Sequence, residues 1–244
     1  RDVAPSRGLG DVYKRQGLSL ALIAVEPDLS TTLCLAMVLV TMLYLSGLSY
    51  KIIGIALLVF VPLAGSFLWY IQRPNQHLLR DYQVNRILQF IYPGQYGSDY
   101  TQQNNSVMAI GSGQLTGKGL NTSTIATVKD ANFISEQQTD FIFSVIGEEL
   151  GFVGSVIIIA ILLLIVLQCI YVARNAKDTK GMLIAAGMGC LIAYQTFINV
   201  GVATGVIPNT GLPLPFISYG LSSLISISIG IGVVLNVSMQ KTSY

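Results

Sequence analysis

The sequence predicts an all-α polytopic membrane protein: about five complete transmembrane helices, a partial one, and a long extracytoplasmic loop. Hydrophobic residues make up 52% of the 244 residues and charged residues only 11%, whereas a soluble domain carries about 25% charge. Several uncharged runs reach the roughly 20 residues that a helix needs to cross a bilayer. The net charge of +2 is too small to indicate nucleic-acid binding.

Residues 1–16, RDVAPSRGLGDVYKRQ, are basic and show no periodicity. They resemble translated adapter sequence, so we expect them to be non-native or disordered; the alternative is a basic cytosolic arm. The apolar run at residues 17–25 has about half the length of a membrane span. It looks like the end of a helix whose beginning is missing, which predicts an N-terminally truncated chain.

Five complete spans follow from the lengths of the apolar runs. They are residues 30–46, 52–71, 139–172, 182–204 and 221–239. Together with the partial helix, the first two make up residues 17–71, and the last three lie within residues 139–240. The span that begins near Thr139 is longer than a bilayer requires, so it should be tilted, broken near Gly151, or extended beyond the hydrocarbon.

The polar segment between the second and third spans, residues 72–138, is predicted to be the extracytoplasmic loop. If the spans alternate, the basic residues near span ends all fall on one side. These are Lys51, Arg174, Lys177, Lys180 and Lys241. Because cytoplasmic loops carry an excess of Lys and Arg, this side should be cytoplasmic.

Cysteine and histidine are sparse and unsuited to metal chemistry. Cys34, Cys169 and Cys190 each lie inside an apolar run without metal-ligand or disulfide spacing, and His77 is the only histidine. We therefore expect no site built from His and Cys, although oxygen ligands could hold a divalent cation.

Asp140 stands out because a carboxylate at the entrance of a membrane span is costly and is usually functional. At helical spacing it shares a narrow stripe with Ser144, Gly147, Gly151 and Gly154. Small residues let another helix approach closely. The alternative is that Asp140 is simply an N-terminal helix residue favoured by the helix dipole.

Six stretches of this sequence resemble the SEDS family (shape, elongation, division and sporulation), the RodA/FtsW peptidoglycan polymerases. They are EPDLSTTL (26–33), YLSGLSYK (44–51), YQVNRILQF (82–90), AIGSGQLTGKG (109–119), TDFIFSVIGEELGFVGS (139–155) and GVIPNTGLPLPFISYG (205–220). YLSGLS, YQ and GLPLPFISYG are closer to the RodA elongation branch than to the division branch. The chain departs from the family in lacking the QPSE-bearing first half and in having Gln114 where the family has glycine.

The resemblance implies a multi-pass glycosyltransferase of the bacterial cytoplasmic membrane that polymerises lipid II for cell-wall elongation and rod shape. Lipid II is an undecaprenyl-diphosphate-linked disaccharide peptide, and the implied protein partner is a class B penicillin-binding transpeptidase. The essential acid of the family's TDFIF motif maps onto Asp140, which makes Asp140 the expected catalytic residue.

One carboxylate suits this reaction. The leaving group is a diphosphate that needs no proton, whereas glycosidases generally need a second carboxyl group to protonate theirs. Asp140 could act as general base on the acceptor hydroxyl or, alternatively, as a ligand of a divalent cation; no cofactor is certain.

Further residues are candidates for binding the substrate. Lys118 is the first candidate for the diphosphate and Arg86 a weaker one; the alternative for both is a solvated loop charge. The predicted hydrogen-bonding partners of sugar or phosphate are Ser106, Glu136, Thr139 and Ser218.

Two other functions remain open. A lipid II flippase or transporter would also place an acid inside a helical bundle, and a non-catalytic membrane scaffold could hold a transpeptidase. Polymer formation from pure lipid II, dependent on Asp140, separates the enzyme from both.

Overall fold

The computed structural model describes residues 29–47, 50–72, 84, 87–88, 92, 98–120 and 137–240. This part of the chain forms helices and no strands. The helices are α1 (Leu29–Leu45), α2 (Tyr50–Ile71), α3 (Ser98–Ser112), α4 (Ile142–Arg174), α5 (Thr179–Ala203) and α6 (Leu221–Met239). The predictions for residues 1–16 and 17–25, for Arg86 and for Glu136 lie outside the described residues.

The predicted all-α, polytopic membrane fold is confirmed. Within the described residues, α4, α5 and α6 are long and apolar enough to cross a membrane, and Ser30–Leu45 is a shorter apolar helix. Large apolar side chains stand exposed along α4 and α6, for example Leu164 at 59% and Ile229 at 63%. Such surfaces suit lipid rather than water. The chain is a multi-pass membrane protein.

Helix α5 is the centre of the bundle, since α1, α3, α4 and α6 all pack against it. Small residues on α5 permit these close approaches. A Cβ atom added at Gly187 would lie 3.0 Å from the sulfur of Met42 on α1, and one at Gly189 would lie 3.0 Å from Cys169 Cβ on α4.

The two ends of the bundle differ in chemistry. At one end, the short basic connection between α4 and α5 contains Asp178, which caps α5 by accepting a 2.9 Å hydrogen bond from the Gly181 N–H. At the other end, the turn at residues 137–141 meets the loop at residues 204–220, since the Tyr219 N–H donates to the Gln138 carbonyl at 2.8 Å. The uncharged loop therefore lies beside the segment that carries Asp140.

The predicted break near Gly151 is confirmed. Gly151 has φ 67° and ψ −164° inside α4, so backbone groups on both sides of it lose their helical partners. The turn after α3 replaces those partners with four hydrogen bonds of 2.8 to 3.1 Å. They run from Phe152 N to Gln114 O, from Val153 N to Leu115 O, from Lys118 N to Glu148 O and from Gly119 N to Glu149 O.

The stripe of small residues beneath Asp140 packs against α3 and this same turn. Gly147 faces Ile110, and a Cβ at Gly113 would collide with the Gly147 carbonyl. Ser144 and Gly147 are buried. The structure thus supplies the close partner that the stripe requires.

Helix α3 was not predicted from the sequence. It lies inside the polar segment at residues 72–138, and its sequence, SDYTQQNNSVMAIGS, has no apolar stripe. It is held instead by polar side chains, Gln103 and Ser106, which are both buried.

Candidate functional site

Asp140 lies in the turn before α4 and is partly buried. The helix begins at Ile142 rather than near Thr139, and its N-cap position is Phe141, which makes no side-chain cap hydrogen bond. Asp140 therefore lies two residues before α4 rather than inside it, and both interpretations of this acid stay predictions. It still lies near the positive end of the helix dipole, which favours a carboxylate.

Three consecutive carbonyl groups of this turn, at residues 138–140, each accept a hydrogen bond from outside the turn. The donors, in the same order, are the backbone N–H of Tyr219 at 2.8 Å, the hydroxyl of Ser218 at 2.6 Å and the side-chain amide of Asn199 at 2.9 Å. The backbone that carries the candidate catalytic acid is thus fixed by α5 and by the loop at residues 204–220.

Asn199 is a site residue that the sequence reasoning missed. It is 1% exposed and donates to the carbonyls of both Asp140 and Leu212, at 2.9 and 2.7 Å. An available signal was a polar amide inside a predicted membrane span, a placement typical of contacts between membrane helices.

Ser218 was predicted to hydrogen-bond substrate, but the fold already uses its hydroxyl as donor and acceptor. The hydroxyl donates to the Thr139 carbonyl and accepts from the Leu214 N–H at 2.7 Å. Ser218 thereby joins the loop to the turn, and this structural role explains why a hydroxyl is present.

Ser106 is also accounted for by the fold. Its side chain is 0% exposed and donates to the Ala203 carbonyl at 2.8 Å. Gln103, one turn earlier on α3, donates to the carbonyls of Val202 and Ile207. The last carbonyls of a helix need such partners, so both side chains hold the C-terminal end of α5.

Lys118 pairs with an acid rather than standing as a solvated charge. Its ammonium lies 2.6 Å from Glu148 Oε1, with the two side chains 15% and 1% exposed. The Ser112 hydroxyl donates to the same carboxylate oxygen at 3.5 Å. Glu148 is thus half of a largely buried ion pair that holds the turn against α4.

Among the described residues, the buried side-chain oxygens without a hydrogen-bond partner all belong to α5 and the loop after it. They are Gln195 Oε1, Thr196 Oγ1, Asn199 Oδ1, Asn209 Oδ1 and Thr210 Oγ1. Buried polar atoms are normally paired. Acceptors of this kind suit a ligand that is rich in hydroxyl or amide hydrogens.

An apolar cleft of about 360 Å³ runs between α4 and α5. Leu162 and Phe197 line it, and it ends at Thr204 and Val206, at the end of the bundle where Asp140 lies. Phe197 is 65% exposed, so the cleft opens sideways toward the membrane. Its shape and lining suit a hydrocarbon chain.

The described residues contain no group of three or more His, Cys, Asp or Glu side chains that could hold a metal ion. Within the described residues, a cation bound to Asp140 would therefore need additional ligands of another kind, such as carbonyl oxygens or the substrate's phosphates.

Residues 15–243 match the family described as "Cell cycle protein", which groups FtsW, RodA and SpoVE. The chain is 35% identical over 253 aligned residues to the peptidoglycan glycosyltransferase MrdB of Escherichia coli strain K12, covering 99% of this chain and 63% of MrdB. It is 37% identical over 236 residues to the probable peptidoglycan glycosyltransferase FtsW of Geobacter metallireducens, covering 96% of this chain and 60% of that protein.

A solved chain from "Structural coordination of polymerization and crosslinking by a peptidoglycan synthase complex" has the same fold. It superposes with a TM-score of 0.72 at 26% identity, covering 95% of this chain and 63% of that chain. The sequence therefore spans about three fifths of the length of each of these relatives.

Proposed function

The chain belongs to the FtsW/RodA/SpoVE family, and on that premise we propose that it is a peptidoglycan glycosyltransferase. It transfers glycan from lipid II to a growing strand at the outer face of the cytoplasmic membrane. The observation that carries the proposal is Asp140, which matches the acid of the family's TDFIF motif and lies on a backbone held by three hydrogen bonds.

Asp140 acts as general base in this proposal. Its carboxylate takes the proton from the acceptor sugar hydroxyl as that oxygen attacks the anomeric carbon of the donor. The bond from that carbon to the diphosphate breaks, and the lipid diphosphate leaves with the bonding electrons. Proton transfer of this kind contributes about 10²- to 10⁴-fold to a rate.

The substrate's chemistry matches the surroundings of Asp140. Lipid II joins a long hydrocarbon chain to a diphosphate and two sugars, and the apolar cleft between α4 and α5 suits the hydrocarbon. The unpartnered oxygens of Asn209 and Thr210, in the loop that also bonds the Asp140 turn, suit the hydroxyl and acetamido hydrogens of the sugars.

The individual contacts to the diphosphate stay predictions. Lys118 would have to exchange its contact with Glu148 for one with phosphate. Thr139 lies next to Asp140 in the same turn, and its hydroxyl remains a candidate for the sugar. Arg86 and Glu136 are retained from the sequence alone.

The proposal includes a class B penicillin-binding transpeptidase as partner. The similar solved chain belongs to a complex described as coordinating polymerisation and crosslinking. A membrane polymerase and a crosslinking enzyme act on the same strand, so physical association would pass the product directly between them.

The test is reconstitution of the full-length protein with pure fluorescent lipid II and its transpeptidase partner. We expect glycan polymer that lysozyme degrades. Transbilayer movement of lipid II without polymer would establish the flippase alternative. Partner binding with neither activity would establish the scaffold.

A further inference from the structure

We propose that Asn199 is a positioning residue for the reaction, acting through the backbone of Asp140. This inference rests on the proposed function, because it assigns Asn199 to the placement of the general base. Asn199 does not touch the Asp140 carboxylate through any contact that the structure records. Its effect on catalysis comes from where it holds the chain.

The contacts of Asn199 connect three separate parts of the molecule. The residue lies on α5, and the two hydrogens of its single amide nitrogen go to two carbonyls, that of Asp140 at 2.9 Å and that of Leu212 at 2.7 Å. The turn before α4 and the loop after α5 are therefore fixed to one buried group. Side-chain motion there is confined, because Asn199 is 1% exposed.

The orientation of the amide follows from its partners. Both neighbours are carbonyl oxygens, which only accept hydrogen bonds, so the nitrogen must face them. Turning the amide over would place its oxygen against two other oxygens. In the observed orientation Oδ1 has no partner, and an unpaired buried acceptor is unfavourable. The chain therefore keeps an amide here for its two donor hydrogens, even though an apolar side chain of similar shape would avoid that unfavourable term.

Positioning of this kind matters for a general base. The carboxylate must come within about 2.6–3.2 Å of the hydroxyl that it deprotonates, and misplacement by about 1 Å can lower a rate by about 10²-fold. The carbonyl of Asp140 is one bond from the Cα atom that carries the side chain. A donor that fixes this carbonyl thus limits where the carboxylate can reach.

The decisive variant is Asn199→Leu in the full-length protein, because leucine has a similar shape and removes both donors. We expect kcat for lipid II polymerisation to fall by about 10- to 100-fold, while KM changes by less than about threefold.

Two control variants accompany Asn199→Leu. Asn175→Leu removes an amide that also donates to a backbone carbonyl, that of Tyr171 at 2.9 Å, but is exposed at the far end of α4. Ile192→Ala, at a fully buried position away from the turn, lowers thermal stability without touching these hydrogen bonds.

The comparison at equal thermal stability decides the inference. We expect Asn175→Leu to keep wild-type kcat, and Ile192→Ala to lose much less kcat than Asn199→Leu for the same drop in Tm. If Ile192→Ala loses as much kcat at the same Tm, or if Asn199→Leu keeps kcat within about threefold of wild type, Asn199 only supports the fold.

Hydrogen exchange separates this inference from the proposed function. We expect the Tyr219 N–H, which donates to the Gln138 carbonyl, to exchange faster in Asn199→Leu than in Ile192→Ala. Unchanged exchange overturns the positioning role whatever the activity. Absence of polymer from the wild-type protein, with exchange altered as expected, would instead contradict the proposed function.

Discussion

Gln114 occupies a left-handed backbone conformation, with φ at 50°, at the position where the SEDS sequences have glycine. Side chains other than glycine, asparagine and aspartate are disfavoured there by about 1 kcal/mol or more. The Gln114 side chain is exposed, and the bond that holds the turn uses its carbonyl, which accepts from the Phe152 N–H at 2.8 Å. The side chain therefore adds strain, and no contact that the structure records offsets it.

We predict that Gln114→Gly raises the free energy of unfolding by about 0.5–1 kcal/mol, because glycine relieves the left-handed strain. The matched control is Gln168→Gly, the same chemical change at an exposed helical position of α4, which should lower it by about 1 kcal/mol. Unfolding in mixed detergent micelles measures both. Destabilisation by Gln114→Gly would show that its side chain makes a contact that matters.

A residue of the site could be predicted from the sequence when its side chain is unusual for the stretch in which it occurs. Asp140 could be identified because an acid at the start of an apolar span is rare and because it matches a motif. Asn199 carries no charge, and which carbonyls it bonds depends on how α5 meets two distant segments. Ser106 and Ser218 looked available for substrate, whereas their hydroxyls are used by backbone groups that only the tertiary structure brings near.

At the scale of elements, the break in α4 and the turn after α3 form one unit. Gly151 has a φ/ψ combination that is essentially restricted to glycine. A Cβ at that position would also collide with the Gly117 backbone nitrogen. The break places Glu148 and Glu149 carbonyls where the turn can donate to them, so the turn and the break require each other.

We predict that Gly151→Ala destabilises the protein by about 3 kcal/mol or more, since backbone strain of about 1–3 kcal/mol adds to a steric clash of similar size. The control is Gly232→Ala on α6, where an added Cβ meets nothing within 4 Å; it should be neutral or stabilising by up to about 1 kcal/mol. Thermal unfolding of the purified variants measures the difference. Equal stability of the two variants would mean that α4 can straighten and that the break is not required.

Elements that are set by a local sequence pattern could be predicted, whereas an element that is held by tertiary contacts could not. The apolar spans were predicted with ends within about three residues, because bilayer thickness sets their length. Helix α3 could not be predicted, since its polar sequence is held by Gln103 and Ser106 through carbonyls at the end of α5, about 100 residues later in the chain. The sequence of α3 alone does not indicate that its polar side chains bond to the end of α5.

At the scale of the whole molecule, the charges fall at opposite ends of α4. Arg174 ends the helix and Lys177 and Lys180 follow it, whereas Asp140 lies just before its first residue. The 23 residues of α4 after the break, 152–174, span roughly 35 Å, which is enough to cross the hydrocarbon core. We therefore expect the two ends to face opposite sides of the membrane, and the excess of basic residues predicts which one is cytoplasmic.

We predict that a cysteine introduced at position 122 is labelled from outside intact cells by an impermeant thiol reagent, whereas one at position 177 is not. The experiment uses the full-length protein with Cys34, Cys169 and Cys190 replaced. Labelling of both positions after permeabilisation is the control for reactivity. Labelling of 177 with protection of 122 in intact cells would mean that the topology is inverted.

The most direct test of the proposed function is the turnover of lipid II by Asp140→Asn in the full-length protein with its transpeptidase partner. The amide is nearly the same size as the carboxylate but cannot accept the proton, so we predict a loss of about 10²- to 10⁴-fold in polymerisation rate with unchanged Tm and partner binding. The matched control is Asp178→Asn, since asparagine caps a helix as well as aspartate, and it should polymerise at the wild-type rate. Polymerisation by Asp140→Asn at a near wild-type rate would contradict the assignment of Asp140 as the catalytic base.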